Sequence, residues 1–253
     1  NLPERYMKYG VEIKATKEQQ EDSKIPIVET LKNNGLDMRV LKDVVEIPIY
    51  TSSDLTWKEF FKNQYEEIKL RFPNLRYDTT EEIVKVSDYN KIAKLYGINE
   101  YQLNDNEYIM ICDFTSMKEI RNKVLNDDKN YLTIAGRQYK SKYNECKDGF
   151  IIMSTSHTNT GIILVPDNCP LTDNMKERTF LAANYNTDLD EEKEKIEELF
   201  SSSDSGFIQN LNNNGLEIDG FTKISIMEAS IGLATIVTFI AIYLGIIFLI
   251  ASS

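Results

Sequence analysis

Histidine, the side chain that most often acts as a general acid or base, occurs once in this chain and lies in a segment rich in hydroxyl groups. His157 is the only histidine among 253 residues, and it follows Ser154 and Ser156 in the run Ser-Thr-Ser-His-Thr-Asn-Thr. A serine and a histidine act as nucleophile and general base only when folding aligns them with a third group. Closeness in sequence supplies no such alignment. The pattern therefore favours a surface or hydrogen-bonded histidine, and no catalytic residue is predicted.

Metal and cofactor chemistry has no sequence signature here. The spacings H-E-x-x-H, C-x-x-C and G-x-x-x-x-G-K-[ST] do not occur. Neither a metal site nor a cofactor is predicted. The three cysteines are an odd number, so one disulfide plus a free thiol stays open, with Cys146 and Cys169 as the expected pair. Cys112 lies in an apolar run and is expected to be a buried, small apolar residue.

The densest charge run is acidic and spans residues 188–198. Its apolar residues recur at helical spacing, which predicts a helix with one solvated, acidic face. An ordinary solvated face is the favoured interpretation, and an acidic surface for a cationic ligand is the alternative. In that alternative the candidate ligand-binding residues are Glu191, Glu194 and Glu198. A net charge of −11 excludes a nucleic-acid partner, which needs a basic surface.

Apolar periodicity predicts the strands that would support these residues. Val11, Ile13 and Ala15 alternate with polar residues, whereas residues 108–114 form the nearly continuous run of a buried strand. Helical and strand patterns alternate without a Gly/Ser linker. We expect one α+β (mixed α/β) domain over residues 1–222, with a two-lobed form left open. The predicted strands are residues 11–15, 38–50, 83–86, 108–114, 150–153, 162–165, 179–185 and 216–218.

Capping patterns predict where the helices begin and end. A Ser or Thr followed three residues later by Glu forms a capping box, as at Thr56. In the helix predicted after Thr56, an aromatic stripe that includes Trp57, Phe60 and Phe61 indicates the face that packs in the core. Glycine after the last helical turn predicts a C-cap. The expected caps are Thr56, Ser87 or Asp88, Ser116 and Asp188 at the N-termini, and Gly35 and Gly97 at the C-termini.

The last part of the chain, residues 223–253, differs from everything before it. Residues 229–251 are 23 residues without a charge, Pro or Asn. A helix of that length is roughly 34 Å long, enough to cross a hydrocarbon core of about 30 Å. A signal peptide would be N-terminal, and a very apolar core helix is the alternative. The nearest charges, Lys223 and Glu228, both precede the span, so charge alone does not orient it.

Small residues recur along this span at spacings of three and four. Such a stripe lets neighbouring helices approach closely and predicts a span packed among others. A lone anchor with an incidental stripe is the alternative. The predicted packing residues are Ser230, Ala234, Thr238, Ala241 and Gly245.

Two phrases resemble one known family. Gly232-Leu233 and residues 239–252, Phe-Ile-Ala-Ile-Tyr-Leu-Gly-Ile-Ile-Phe-Leu-Ile-Ala-Ser, are similar to a span of FtsX-like ABC transporter permeases. The closest likeness is to the bacitracin-export, or BceB-like, type. Residues 86–95, Val-Ser-Asp-Tyr-Asn-Lys-Ile-Ala-Lys-Leu, are similar to a phrase of the extracellular domains of these permeases. Together the phrases cover about a tenth of the chain.

This resemblance implies a piece of a permease subunit in a bacterial plasma membrane, with residues 1–222 on the extracellular side. It implies a partner ATP-binding subunit, the remaining permease spans and, in some systems, a membrane histidine kinase. The implied role is resistance to, sensing or export of antimicrobial peptides, with recognition of a cationic peptide or peptide–lipid complex. The permease itself would not be an enzyme.

Two other interpretations stay open. One is an FtsX- or MacB-like permease for lipoprotein export or cell-wall hydrolase activation. The other is a globular enzyme or receptor anchored by a single span.

Overall fold

A computed structural model represents this chain, and it combines a large mixed sheet with helices and one long apolar helix. It describes residues 11–16, 27–127, 130–152, 154, 157–186, 190–200, 207, 209 and 218–251. The predicted mixed α/β class is confirmed. The predicted residues Asp188 and Leu216 lie outside the described residues.

Nine strands are described. They are β1 (Val11–Thr16), β2 (Leu41–Tyr50), β3 (Ile83–Lys85), β4 (Glu107–Ile111), β5 (Tyr131–Ile134), β6 (Arg137–Ser141), β7 (Ile162–Val165), β8 (Lys176–Tyr185) and β9 (Ile218–Thr222).

Seven α-helices are described, together with short 3-10 turns at Met38–Val40, Lys62–Gln64 and Asp173–Met175. They are α1 (Ile27–Asn33), α2 (Trp57–Phe61), α3 (Tyr65–Arg71), α4 (Val86–Tyr96), α5 (Thr115–Leu125), α6 (Asp190–Phe200) and α7 (Lys223–Ala251).

The strands form one mixed sheet in the order β5-β6-β4-β7-β3-β2-β8-β1-β9. Seven of them make the main sheet, and the β5–β6 hairpin joins it through a short parallel pairing of β6 with β4. Strands β3 and β7 are also parallel, whereas β7 and β4 are antiparallel. The starts of β3 and β7 and the end of β4 therefore lie at the same edge of the sheet.

Strand β7 shows how the sheet divides the core. Its four residues are all buried, because successive side chains point to opposite faces and both faces are covered. Ile163 and Val165 pack with α2 and α5, whereas Ile162 and Leu164 pack with α4. A third apolar cluster, around Leu181 and Ile196, joins β8 to α6 and α1.

The predicted caps are confirmed at some helices and wrong at others. Thr56 Oγ1 accepts a hydrogen bond from the Glu59 amide at 3.3 Å, and Gly97 ends α4 in the left-handed conformation with φ of 65°. Ser87 and Asp88 do not cap α4, because that helix already begins at Val86. The Ser87 amide instead donates to Asp167 Oδ1 at 3.2 Å, a residue of a distant loop.

Other local predictions also fail. Helix α5 begins at Thr115, so Ser116 lies inside its first turn and does not cap it. Of the strand predicted at 150–153, residues 150–152 form a loop. In that region backbone carbonyl groups are bonded by a side chain and not by a neighbouring strand. The Asn159 side chain donates to Gly149 O at 2.8 Å and to Ile111 O at 3.2 Å.

The expected pairing of Cys146 with Cys169 is wrong. All three cysteines are buried free thiols. The neighbour of the Cys146 thiol is Cys112, whereas the Cys169 thiol lies near the Tyr139 hydroxyl. Cys112 is buried in the core, as its apolar surroundings in the sequence predicted.

The C-terminal helix α7 begins at Lys223, directly after the last residue of β9. Within the described residues it is the one helix long and apolar enough to cross a membrane, judged by length and composition alone. None of its apolar window Ala234–Ala251 is buried against the domain. The helix could therefore anchor the domain in a membrane, and the side on which the domain lies stays a prediction.

Candidate functional site

The strand ends that meet at one edge of the sheet bring charged side chains together. Glu81 and Glu82 immediately precede β3, Asp113 follows β4, and the loop from Phe150 to Gly161 leads into β7. Arg178 reaches the same place from β8. Residues that are distant in sequence thus surround a cavity of about 280 Å³. Trp57, at the start of α2, forms part of its wall.

A fully buried ion pair lies beside this cavity. Arg121 Nη1 and Nη2 donate to the two carboxylate oxygens of Glu81 at 2.8 and 3.0 Å, and Arg121 Nε donates to Thr160 O at 2.7 Å. The two side chains are 0% and 1% exposed. Burial opposes the charge of Arg121, but the charge and hydrogen bonds of Glu81 outweigh it and raise the pKa of the guanidinium. The bidentate geometry fixes the orientation of the Glu81 carboxylate.

Aromatic rings complete the surroundings of the Arg121 guanidinium. Its central carbon lies 4.8 Å from the ring centre of Phe60 and 5.3 Å from that of Trp57. These distances are those of cation–π contacts. The aromatic stripe predicted as core therefore also supports a charged group.

Gly161 lets the chain pass directly over Arg121. Its φ is +145°, which L-residues rarely adopt, and a β-carbon there would lie 2.5 Å from Arg121 Cζ. Only glycine fits both restrictions without displacing the guanidinium.

A second ion pair forms another part of the lining. Arg178 Nη2 donates to Glu82 Oε1, and both side chains are partly buried. Arg178 Nε is buried and has no hydrogen-bond partner within the described parts of the chain. Burial lowers the pKa of this guanidinium.

Asp113 is the third acidic residue of the cavity and the one nearest to His157. Its Oδ1 accepts a hydrogen bond from the Asn159 amide at 2.8 Å, and its Oδ2 lies 3.8 Å from His157 Nδ1. The Asp113 side chain is 6% exposed, whereas that of His157 is 41% exposed. Asn159 also fixes the loop by accepting from the Gly161 amide at 3.0 Å.

The charges of the cavity and of the adjoining Arg121 do not balance. Glu81, Glu82 and Asp113 contribute three carboxylates, and Arg121 and Arg178 contribute two guanidinium groups. One negative charge is therefore left over when His157 is neutral. The volume is just below that of small-molecule pockets, which measure about 300–1,000 Å³. A single cationic side chain of a larger ligand fits both the charge and the size.

The predicted ligand-binding residues lie elsewhere. Glu191, Glu194 and Glu198 are exposed on α6, whose opposite face buries Ile196 and Phe200. The structure does not bring these glutamates to the cavity lined by Glu82 and Asp113. Their exposure is equally that of a solvated helix face, and their role stays a prediction.

The predicted packing residues all lie in α7. Ala234, Thr238, Ala241 and Gly245 are exposed, and Ser230 belongs to the same helix. The Thr238 hydroxyl donates to Ala234 O at 2.8 Å, so this polar group is satisfied within the helix. A β-carbon on Gly245 would meet nothing within 4 Å. The stripe is therefore free to contact another helix.

Within the described part of the chain, no group of three or more His, Cys, Asp and Glu side chains is placed to hold a metal ion. Comparison with protein-family models found no match, and comparison with curated proteins found none either.

Sequence reasoning missed most of the cavity. Glu81, Glu82, Arg121 and Arg178 are separated by up to 97 positions, since Glu81 is residue 81 and Arg178 is residue 178. No spacing rule connects them. The one available signal was the predicted end of a buried strand near Asp113, followed by the polar segment around His157.

Proposed function

We propose that this chain is the extracellular domain and the following span of an FtsX-like ABC transporter permease, closest to the BceB-like type. The two resembling phrases lie on α4 and α7. The proposal includes a cytoplasmic ATP-binding subunit, further permease spans and a role in antimicrobial-peptide resistance, sensing or export.

The observation that carries this proposal is the direct junction between β9 and α7. Strand β9 pairs with β1 over five residue pairs, and α7 begins at the next residue. A strand held in the sheet on one side and a continuous helix on the other form a stiff connection. A shift of the helix in the membrane would therefore reach the sheet without a flexible linker.

For the ligand, we propose that the cavity beside Glu82 and Asp113 takes a cationic side chain of the peptide or peptide–lipid complex. The net negative charge and the small volume support this choice. The exposed glutamates of α6 would then act only by attracting the ligand over a longer range.

The assembly is tested by purifying the tagged full chain from its native bacterial membrane after chemical crosslinking. An ATP-binding subunit should copurify, and cysteine placed at exposed Lys58 should react with an impermeant reagent in intact cells. A chain that purifies without an ATPase would contradict the proposal. Labelling of the cysteine only after lysis would reverse the topology.

The ligand site is tested by binding a lysine-rich peptide to the purified full chain. Asp113→Asn removes the charge but keeps the oxygen that accepts from Asn159, and it should weaken binding roughly tenfold, or about 1.4 kcal/mol. Glu198→Gln is the matched control on α6 and should change the affinity little. The opposite result would place the ligand on α6 instead.

A second candidate function is a membrane-anchored enzyme. The approach of His157 to Asp113 favours it, because a carboxylate can orient an imidazole for general base catalysis. Ser154 Oγ, on the same loop, accepts a hydrogen bond from Thr158 Oγ1 at 3.3 Å. Hydrolysis of a panel of ester and peptide substrates that is lost in both Ser154→Ala and His157→Ala would favour this candidate.

The other permease roles are lipoprotein export and activation of a cell-wall hydrolase. If the chain served one of them, a lipoprotein or a hydrolase would copurify with it.

A further inference from the structure

Two of the three cysteines, Cys112 and Cys146, lie on neighbouring segments at the end of β4. Ile111 pairs with Lys147 in a parallel bridge, in which the Cys112 amide donates to Lys147 O at 3.0 Å and the Lys147 amide donates to Met110 O at 2.9 Å. Side chains alternate between the two faces of paired strands. In this parallel register Cys112 and Cys146 lie two positions apart on neighbouring segments, and both side chains point to the same face.

The two thiols are in direct contact within the core. The Cys146 thiol donates a hydrogen bond to Cys112 Sγ, and the side chains belong to the same apolar cluster. The exposed fractions are 0% for Cys112 and 1% for Cys146. The Cys146 amide is fixed by a bond to Asn122 Oδ1 at 2.7 Å, so the backbone holds both residues in place.

The surroundings distinguish the two sulfur atoms. The hydrogen bond from Cys146 lowers the pKa of Cys112, and the charge of Arg121 adds to this effect against the opposing effect of burial. The same contact raises the pKa of Cys146, and burial raises it further. Cys112 is therefore the thiol that ionises first. Cys169 belongs to the same apolar cluster, but its thiol lies near the Tyr139 hydroxyl instead.

We propose that Cys112 and Cys146 form a disulfide when the chain folds in an oxidising compartment, with Cys169 remaining a free thiol. Thiol–disulfide exchange requires an oxidant, which is a low-molecular-weight or protein disulfide. The Cys112 thiolate attacks one sulfur of that disulfide and releases the other as a thiol. The Cys146 thiolate then attacks Cys112 Sγ and displaces the second thiol. Two protein thiols are thus oxidised, and the oxidant is reduced to two thiols.

The bond would join the end of β4 to the segment after β6. The chain between them, residues 113–145, contains α5 and Arg121, which lie beside the charged cavity. Closing this loop restricts the unfolded chain and stabilises the fold.

Formation of the bond in a redox buffer does not depend on the proposed function. Its persistence in the cell does, since disulfides last in oxidising compartments.

The test uses the full chain in detergent, unfolded with reductant and refolded in a buffer of reduced and oxidised glutathione. Free thiols are then alkylated, and the tryptic peptides are identified by mass spectrometry. A linked pair of peptides containing Cys112 and Cys146, together with alkylated Cys169, is expected. Recovery of three alkylated cysteines, or of a disulfide that includes Cys169, would overturn the proposal.

Stability gives a second readout. The oxidised chain should have a melting temperature roughly 5–15 °C above that of the reduced chain. Cys169→Ser should keep this difference, whereas Cys146→Ser should abolish it. The peptide map of the unmodified chain decides the pairing even where a cysteine variant fails to fold. An unchanged melting temperature despite a confirmed link would overturn the stabilising role.

Discussion

The most unusual residue of the domain is Arg121, a charge held entirely inside the protein. Taking a charge out of water has a free-energy cost of several kcal/mol, and a single ion pair often does not offset it. Here the bidentate bond to Glu81, the bond to Thr160 O and the aromatic rings of Phe60 and Trp57 act together. The arrangement shapes one side of the cavity. The stability of the domain should therefore depend on each group that contacts Arg121.

Neutralising Glu81 should destabilise the domain strongly. Glu81→Gln leaves the buried guanidinium of Arg121 without a compensating charge, and the free energy of unfolding should fall by about 3–5 kcal/mol. Urea unfolding followed by tryptophan fluorescence measures the change. Glu145→Gln is the control, because its pair with Lys147 is exposed and such pairs contribute about 0–1 kcal/mol. Equal effects of the two changes would contradict the account of Arg121.

Gly161 offers a separate test of the same packing. Gly161→Ala combines backbone strain with a β-carbon 2.5 Å from Arg121 Cζ, and it should lower the free energy of unfolding by about 2–5 kcal/mol. Gly136→Ala is the matched control, since its φ of +74° brings strain but its β-carbon would meet nothing within 4 Å. It should lower the free energy by about 1 kcal/mol. If the denaturant midpoints of the two variants coincide, the Arg121 side chain moves aside easily to admit the new β-carbon.

At the scale of single residues, the sequence predicted only fragments of the site. The segment around His157 was identified as a place where polar groups gather, and its nearness to Asp113 follows from the adjoining strands. Glu81, Arg121 and Arg178 resemble any other charged residue in the sequence. Only the order of the strands, which local patterns do not contain, brings them together.

At the scale of elements, helix α4 shows how a tertiary contact replaces a local cap. The residue before the helix, Lys85, has no side-chain cap, and Asp167 accepts from the Ser87 amide across 80 positions. Local rules predicted a cap within the same segment. They could not detect a carboxylate supplied by the loop after β7.

Replacing that distant cap should weaken the fold more than replacing the local hydroxyl. Asp167→Ala leaves a helix amide without its acceptor, and the free energy of unfolding should fall by about 0.5–2 kcal/mol. Ser87→Ala is the control and should stay within about 0.5 kcal/mol, because its exposed hydroxyl is not the cap. Thermal unfolding by circular dichroism measures both. A larger loss of unfolding free energy in Ser87→Ala than in Asp167→Ala would show that Ser87 caps α4 after all.

The elements that were predicted correctly are those with a strong period or a marked end. Strands β7 and β8 and the C-terminus of α4 at Gly97 belong to this group. The hairpin of β5 and β6 was missed because its turn uses Ala135, a non-glycine residue with φ of 49°, next to Gly136. The loop from Phe150 was mistaken for a strand because burial by α4 gives it the same apolar composition.

At the scale of the whole molecule, the central feature is an apolar helix that the domain leaves uncovered. A chain of this size could bury such a helix in its own core, yet in the part of the chain that the structure describes α7 contacts β9 and its window Ala234–Ala251 is not buried. An uncovered apolar surface of this extent marks a membrane or partner contact. The small residues along it would then be where neighbouring helices approach.

Gly245 tests whether this helix packs against others in the assembled complex. Gly245→Leu should leave the unfolding of the purified full chain unchanged, because a β-carbon there would meet nothing within 4 Å. In native membranes it should reduce the recovery of crosslinked partner subunits several-fold, since a bulky side chain holds the helices apart. Ile247→Leu keeps volume and polarity and should preserve recovery. Undiminished recovery with Gly245→Leu would mean that α7 is a lone anchor whose small residues are incidental.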